Sequence, residues 1–288
     1  MENTRSNRFE DLADELIALA FTEDIGDGDH SSLATIPADL QGRVHLMLKE
    51  DGILSGLDVA RRVYQHADPH IQFNQILHDG DKVRYGDIAF EAAGSALTLL
   101  RTERIVLNLM QRMSGIATRT AQYVSSVKGT GAKILDTRKT APGLRVFDKL
   151  AVQHGGGHNH RMGLYDMIML KDNHIDFAGG IAPALAAVRT YQQKHGLHLP
   201  VEVECRTMDD VQQVLTLGGV QQLMLDNFDI PTTRAAVQLI NHAIPVESSG
   251  GITLANVRQY AECGVDFISI GDTTHHVHAL DMNLKKMQ

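Results

Sequence analysis

Five cations stand out by type and spacing: Arg138, Lys139, His160, Arg161 and Lys171. The first two follow a short apolar run, residues 132–135, through Asp136 and Thr137. Lys171 closes a second apolar run, residues 167–170, and His160 and Arg161 follow the triplet Gly155, Gly156 and Gly157 through His158 and Asn159. Two buried strands would thus present cations at their carboxyl ends, and a glycine-rich turn would add two more. Arginine grips a carboxylate or phosphate through two parallel hydrogen bonds, whereas lysine acts as a mobile point charge. Any one of these residues alone reads as a surface salt bridge. Together they fit a small ligand with several negative charges: a dicarboxylate, a pyrophosphate, or one of each.

Glu204 and Asp226 end two further apolar runs, residues 201–203 and 223–225. Hard oxygen ligands beside cations are how magnesium–phosphate complexes are gripped, and the plain alternative is structural carboxylates paired with the lysines. Glu247-Ser248-Ser249-Gly250-Gly251 and Gly271-Asp272-Thr273-Thr274 are small-residue turns after the last two runs, suited to offering backbone N–H groups to a phosphate. The histidines at 154, 158 and 160 and at 275, 276 and 278 invite a zinc reading, but no HExxH or cysteine pair supports it. The acidic loop Asp27-Gly28-Asp29-His30 fails as a calcium loop, because the twelfth position from Asp27 is Ala38. Taken by itself, Arg104 is a solvated cation on the polar face of a helix.

The elements that must position these groups change character along the chain. Residues 8–21 read as an amphipathic helix with Phe9, Leu12, Leu16 and Ala20 on one stripe. Strand-like runs follow at 44–49, 52–55, 71–77 and 88–92, with a helical pattern at 57–66 and turn signals at Asp79-Gly80-Asp81 and Tyr85-Gly86-Asp87. This part is an α+β unit with antiparallel hairpins. A long helix is expected over 95–128, interrupted near Ser114-Gly115. From Ala132 onward, apolar runs alternate with amphipathic ones, the pattern of βα units with parallel strands. The runs at 132–135, 167–170, 201–203, 223–225, 245–246 and 267–270 each end in a polar residue or glycine. In a βα barrel the functional groups gather at the carboxyl ends of the strands. The span from Ala132 to Asp272 is well short of the roughly 250 residues of a regular barrel, so a smaller or incomplete one is expected. The expected fold class is α/β, with one domain over 1–114, to which 275–288 return, and a barrel domain over 115–274.

The 288 residues carry 27 basic and 35 acidic side chains, a formal charge of −8. An acidic chain without a basic run argues against nucleic acid or an anionic membrane as partner. Cys205 and Cys263 form no CxxC pair and read as reduced thiols. The amino terminus lacks an apolar signal core and no run reaches membrane-spanning length, so a cytoplasmic enzyme is expected.

Several motifs resemble the quinolinate phosphoribosyltransferase family: Thr137-Arg138-Lys139-Thr140, Gly155 through Arg161, Lys171-Asp172-Asn173-His174, Glu202-Val203-Glu204, Leu225-Asp226-Asn227-Phe228 and Glu247 through Gly251. The likeness runs in order over nearly the whole chain. It implies an amino-terminal open α/β sandwich and an irregular barrel of the type II phosphoribosyltransferase kind, with each sandwich capping the barrel of the other subunit in a homodimer. It implies that quinolinate and phosphoribosyl pyrophosphate give nicotinate mononucleotide, pyrophosphate and carbon dioxide, in NAD synthesis. By the resemblance, Arg138, His160, Arg161 and Lys171 bind quinolinate, and Arg104 is supplied by the other subunit. Lys139 lies between the two substrates, and Glu204 and Asp226 serve the ribose and Mg2+, directly or through water. Ser249, Gly250, Gly271 and, more weakly, His275 serve the phosphoribosyl pyrophosphate. Three rivals remain in view, the first two being a nicotinate phosphoribosyltransferase, which releases no carbon dioxide, and a Schiff-base aldolase using Lys139 or Lys171. A non-catalytic sensor of the same ligands is the third.

Overall fold

The computed structural model describes residues 2–287, with side-chain surroundings from Glu10 onward. In chain order the elements are α1 (Glu2–Ile25), α2 (His30–Thr35), β1 (Gln41–Leu48), β2 (Gly52–Ile53), α3 (Leu57–Ala67), β3 (Gln72–Gln75), β4 (Lys82–Val83) and β5 (Ile88–Ser95). Then come α4 (Ala96–Ser126), β6 (Lys133–Leu135), α5 (Arg145–His154), β7 (Ile168–Leu170), α6 (Asp172–Ala178), α7 (Ile181–His195) and β8 (Val201–Cys205). The remainder is α8 (Met208–Leu217), β9 (Gln222–Asp226), α9 (Ile230–Ile240), β10 (Val246–Ser249), α10 (Val257–Ala261), β11 (Phe267–Ser269), α11 (Asp272–His275) and β12 (Met282–Lys286). The chain divides into two compact units: residues 1–121, 140–156 and 273–288, and residues 122–139 and 157–272.

The first unit is built on a four-stranded antiparallel sheet in the order β12-β1-β5-β3. A small antiparallel pair, β2 with β4, sits beside it in sequence. Leu46, Leu48, Phe90, Ala92, Leu57, Val63 and Tyr64 fill its core with Met110 and Met113 of α4. The stripe expected on α1 is rotated. Ala13 and Ile17 are the buried positions, Leu16 and Ala20 are partly buried, Leu12 is 39% exposed, and the Phe9 side chain lies outside the described residues. Asp29, from the acidic loop, caps α2 by accepting the Ser32 N–H at 3.1 Å.

Helix α4 is continuous, and the break expected at Ser114-Gly115 does not occur. Gly115 serves packing instead. A Cβ there would lie 2.1 Å from the His278 carbonyl oxygen, so the glycine admits a close backbone approach. Ser114 is satisfied within the fold, accepting the Ser55 N–H at 2.9 Å and donating to the Ser55 carbonyl at 3.0 Å.

The second unit is a six-stranded parallel sheet in the order β6-β11-β10-β9-β8-β7. Its outer strands β6 and β7 do not pair, so the barrel is incomplete, as its short span predicts. All six expected strands are present, each within a few residues of its apolar run. Period-two alternation then decides what goes where. Val201, Val203, Leu223, Leu225, Val246 and Ile268 face one way, into a core shared with Val211, Ala236 and Val257 of the covering helices. Glu202, Glu204, Gln222, Asp226, Glu247 and Ser249, at the intervening positions, must face the other way. Adjacent pairs on that face, Glu202 with Glu204 for example, stand roughly 7 Å apart along a strand.

Candidate active site

The carboxyl ends of the parallel strands carry most of the expected functional groups in a single unit: Arg138, Lys139, His160, Arg161, Lys171, Glu204, Asp226, Ser249, Gly250 and Gly271. Arg104 and His275 belong to the other unit. Arg104 is exposed on α4, and no hydrogen bond or ion pair among the described residues holds it. His275 is exposed, its ring 4.1 Å from that of His276.

Asp136 organises the cation cluster, a role its position at a strand end did not disclose. The segment after the glycine triplet runs parallel to β6 through a bridge between Leu135 and His158. His158 donates to the Ile134 carbonyl at 2.9 Å and accepts the Asp136 N–H at 3.1 Å. The buried Asp136 carboxylate then accepts the His160 N–H at 2.9 Å. These bonds carry residues 158–161 to the strand end that bears Arg138 and Lys139.

Arg161 is 8% exposed, and its Nη1 donates to the Met167 carbonyl at 3.3 Å. Burial holds its guanidinium below the ordinary arginine range, and the neighbouring Arg138 pushes the same way, against Glu202 and Asp166. Two arginines that repel each other, one of them buried, form a site that gains most from an anion. Arg138 and Lys139 are themselves exposed.

His160 differs from the other cations. Its side chain is 7% exposed and its Nε2 lies 2.9 Å from Glu202 and 3.3 Å from Glu247, both fully buried. Gln222 closes a ring by donating to the same two carboxylates, at 3.0 Å to Glu202 and 2.6 Å to Glu247. His160, Glu202 and Glu247 are of metal-ligating type, with atoms within 4.8 Å of one another, and the Gln222 amide bridges the two carboxylates of that group. Burial opposes an imidazolium, but the bonds to Glu202 and Glu247 overcome it and push His160 up to about 10. Burial likewise raises Glu247. The cluster therefore retains a shared proton across neutral pH. The His160 Nδ1 accepts the Arg161 N–H at 2.8 Å and needs a lone pair for it, so that proton lies on the Nε2 and carboxylate side.

Glu204, 6% exposed, forms an ion pair with Lys171 Nζ at 3.1 Å. Asp226 stands at the end of the next strand, and burial and the Glu204 charge raise its pKa, while Asn227 and Lys171 oppose the rise. A divalent cation would relieve that repulsion, so the pair fits Mg2+ as a bound ion. Beyond β10, Gly250 and Gly251 have φ of +92° and +62°, so the turn after Ser249 takes a left-handed course natural to glycine.

A parallel α/β half-barrel with clustered cations, a carboxylate pair and a glycine turn at its strand ends defines an enzyme class that binds anionic, phosphate-bearing substrates. The comparisons make the class specific. Residues 29–114 and 116–285 match the two domains of the family described as quinolinate phosphoribosyl transferase, N-terminal and C-terminal domain respectively. Among curated relatives, a Nicotiana tabacum protein named quinolinate phosphoribosyltransferase [decarboxylating] 2b, mitochondrial, is 44% identical over 94% of this chain and 81% of its own. A nicotinate-nucleotide pyrophosphorylase [carboxylating], chloroplastic, from Arabidopsis thaliana is also 44% identical, over the same shares. The solved nicotinate-nucleotide pyrophosphorylase of Francisella tularensis superposes with a TM-score of 0.90 at 35% identity, covering 96% of each chain. The chain belongs to the quinolinate phosphoribosyltransferase family. It is a phosphoribosyl-transferring enzyme, and no helix among its described residues is long and apolar enough to cross a membrane.

Proposed function

We propose that this protein transfers the phosphoribosyl group of phosphoribosyl pyrophosphate to the ring nitrogen of quinolinate, giving nicotinate mononucleotide, pyrophosphate and carbon dioxide for NAD synthesis. Besides family membership, the observation that carries this reading is the buried Arg161 beside Arg138, two mutually repelling cations suited to a dicarboxylate. The ring nitrogen attacks the anomeric carbon as the bond to pyrophosphate oxygen breaks. The transition state is oxocarbenium-like, so Glu204 and Asp226 stabilise the ribose from their strand ends. Lys139 neutralises the departing pyrophosphate, and Mg2+ bound at Glu204 and Asp226 would add charge neutralisation there. The quaternary nitrogen then accepts the electron pair of the carbon–carbon bond as carbon dioxide leaves, and the ring carbon takes up a proton. Ser249, Gly250 and Gly271 hold the phosphates in this reading.

Arg138, Arg161 and Lys171 bind the two carboxylates in this reading, and His160, whose ring nitrogens face Glu202, Glu247 and the Arg161 N–H, supports them from behind. A site built around two leaves cations unpaired when nicotinate enters, and sites of this kind reject the lacking analogue by roughly 10⁴-fold. Arg104, exposed and without a hydrogen bond or ion pair among the described residues, supplies a further cation to a second copy of the chain in a homodimer. A cytoplasmic location is part of this proposal. Two of the plant relatives are named as mitochondrial and chloroplastic, and cell fractionation decides between these addresses.

The test offers quinolinate or nicotinate with phosphoribosyl pyrophosphate and Mg2+, quantifying mononucleotide and carbon dioxide together. Equimolar products from quinolinate, with nicotinate inert, are expected. Product from nicotinate without carbon dioxide would move the assignment to the monocarboxylate transferase.

A further inference from the structure

Asn227 follows Asp226 directly and is the first residue past β9. Its φ is +57°, the left-handed region that asparagine tolerates better than most residues. In that conformation its backbone N–H extends the β9–β10 ladder, donating to the Ser249 carbonyl at 2.9 Å. Its side-chain Nδ2 turns back and donates to the Asp226 carboxylate at 2.6 Å. Its side-chain oxygen lies over Gly250, where a Cβ would sit 2.2 Å from Oδ1 and 2.9 Å from the Asn227 nitrogen. One residue thus touches the carboxylate, the end of the neighbouring strand and the glycine of the turn.

We propose that Asn227 is a positioning residue that fixes the Asp226 carboxylate relative to the Ser249-Gly250 turn, and so sets the spacing at which a sugar phosphate is held. The inference rests on the reading of these groups as the phosphoribosyl subsite. It also accounts for Gly250 beyond its φ of +92°: the asparagine amide occupies the space a side chain would need. The donor end of that amide is the informative one. Replacing Nδ2 with a carboxylate oxygen keeps size and shape but sets two anions face to face at Asp226. Removing the side chain while keeping glycine's freedom at positive φ loses only the tether.

The ranking of two variants separates positioning from mere space filling. Asn227→Asp is expected to raise KM for phosphoribosyl pyrophosphate at least tenfold, and Asn227→Gly about threefold, with KM for quinolinate within twofold in both. A space-filling role predicts the reverse order, with the isosteric Asp variant harmless, and that order overturns the inference. Equal losses for both substrates overturn it as well. Titration of inorganic phosphate into wild-type and Asn227→Asp protein by calorimetry reports on the subsite without turnover. Weaker phosphate binding by the variant upholds the role of Asn227 even if the proposed reaction fails, and unchanged binding overturns it.

Discussion

Replacing Arg161 with alanine tests the dicarboxylate reading most directly. The side chain is 8% exposed, its Nη1 is held by the Met167 carbonyl at 3.3 Å, and no ion pair with a carboxylate is formed by it among the described residues. Truncating one member of a buried charge pair costs about 2–5 kcal/mol. Arg138 remains nearby and exposed, so one cation still faces the ligand, and the lower half of that range applies. At 1.4 kcal/mol per decade, about 2–3 kcal/mol is a loss of roughly 30- to 150-fold in quinolinate affinity. Isothermal calorimetry with quinolinate gives the number, and nicotinate is the control: its binding should change by a smaller factor, because it has one carboxylate to lose. Arg161→Lys keeps the charge but not the planar fork, and an intermediate loss is expected. A loss below threefold for Arg161→Ala, with the protein folded, would refute the placement of Arg161 against the ligand.

Three further outcomes follow from the geometry. Asp148 is fully buried, paired with Arg112 through two bonds of 2.8 Å and accepting the Ala141 N–H at 3.3 Å, so Asp148→Ala strands a cation. The expected cost is about 3–5 kcal/mol, a fall in Tm on the order of 10 °C by calorimetry. Gly115→Ala drives a methyl group onto the His278 carbonyl and should cost more than the 1–3 kcal/mol of ordinary overpacking, read as loss of soluble folded protein by circular dichroism. The pKa of Asp226 is raised above its usual 3.8, so the folded state binds the proton more tightly than the unfolded state does, and stability falls as pH rises through that window. In metal-free buffer Asp226→Asn should therefore raise Tm at pH 7, and the gain should shrink as pH falls through the window. A gain that persists unchanged at pH 3 would contradict this.

The strand ends were legible because each parallel strand is a short apolar run closed by a polar residue, and the cations and carboxylates sit at those closures. The burial of His160 was not legible. Its partners Glu202 and Glu247, and the Gln222 that bridges them, come from three strands, and only the register of β8, β9 and β10 brings them together. Strand β4, two residues long, and the polar-ended β12 leave little periodicity, whereas α5, with Phe147, Ala151 and Val152 buried on one face, lies in a stretch dominated by its charged and glycine motifs. Gly115 was misread as a helix break because a glycine that admits a neighbouring backbone looks, in sequence, like a glycine that ends a helix. Asn227 appeared within a motif, but its two-way contact depends on a left-handed φ that sequence does not print.

Strand β12 has a consequence for how the chain matures. It pairs with β1 from Val44 opposite Lys286 to Leu48 opposite Met282, joining the first strand of the described fold to the last. During synthesis the edge of β1 stays open while the whole parallel unit emerges, a long interval for an unpaired strand to meet other chains. The parallel unit needs no such late arrival for its own sheet, whose strands all lie between residues 133 and 269. Loss of residues 282–286 would therefore be felt at β1, some 240 positions upstream, as aggregation during expression rather than as damage to the strand ends that hold the cations.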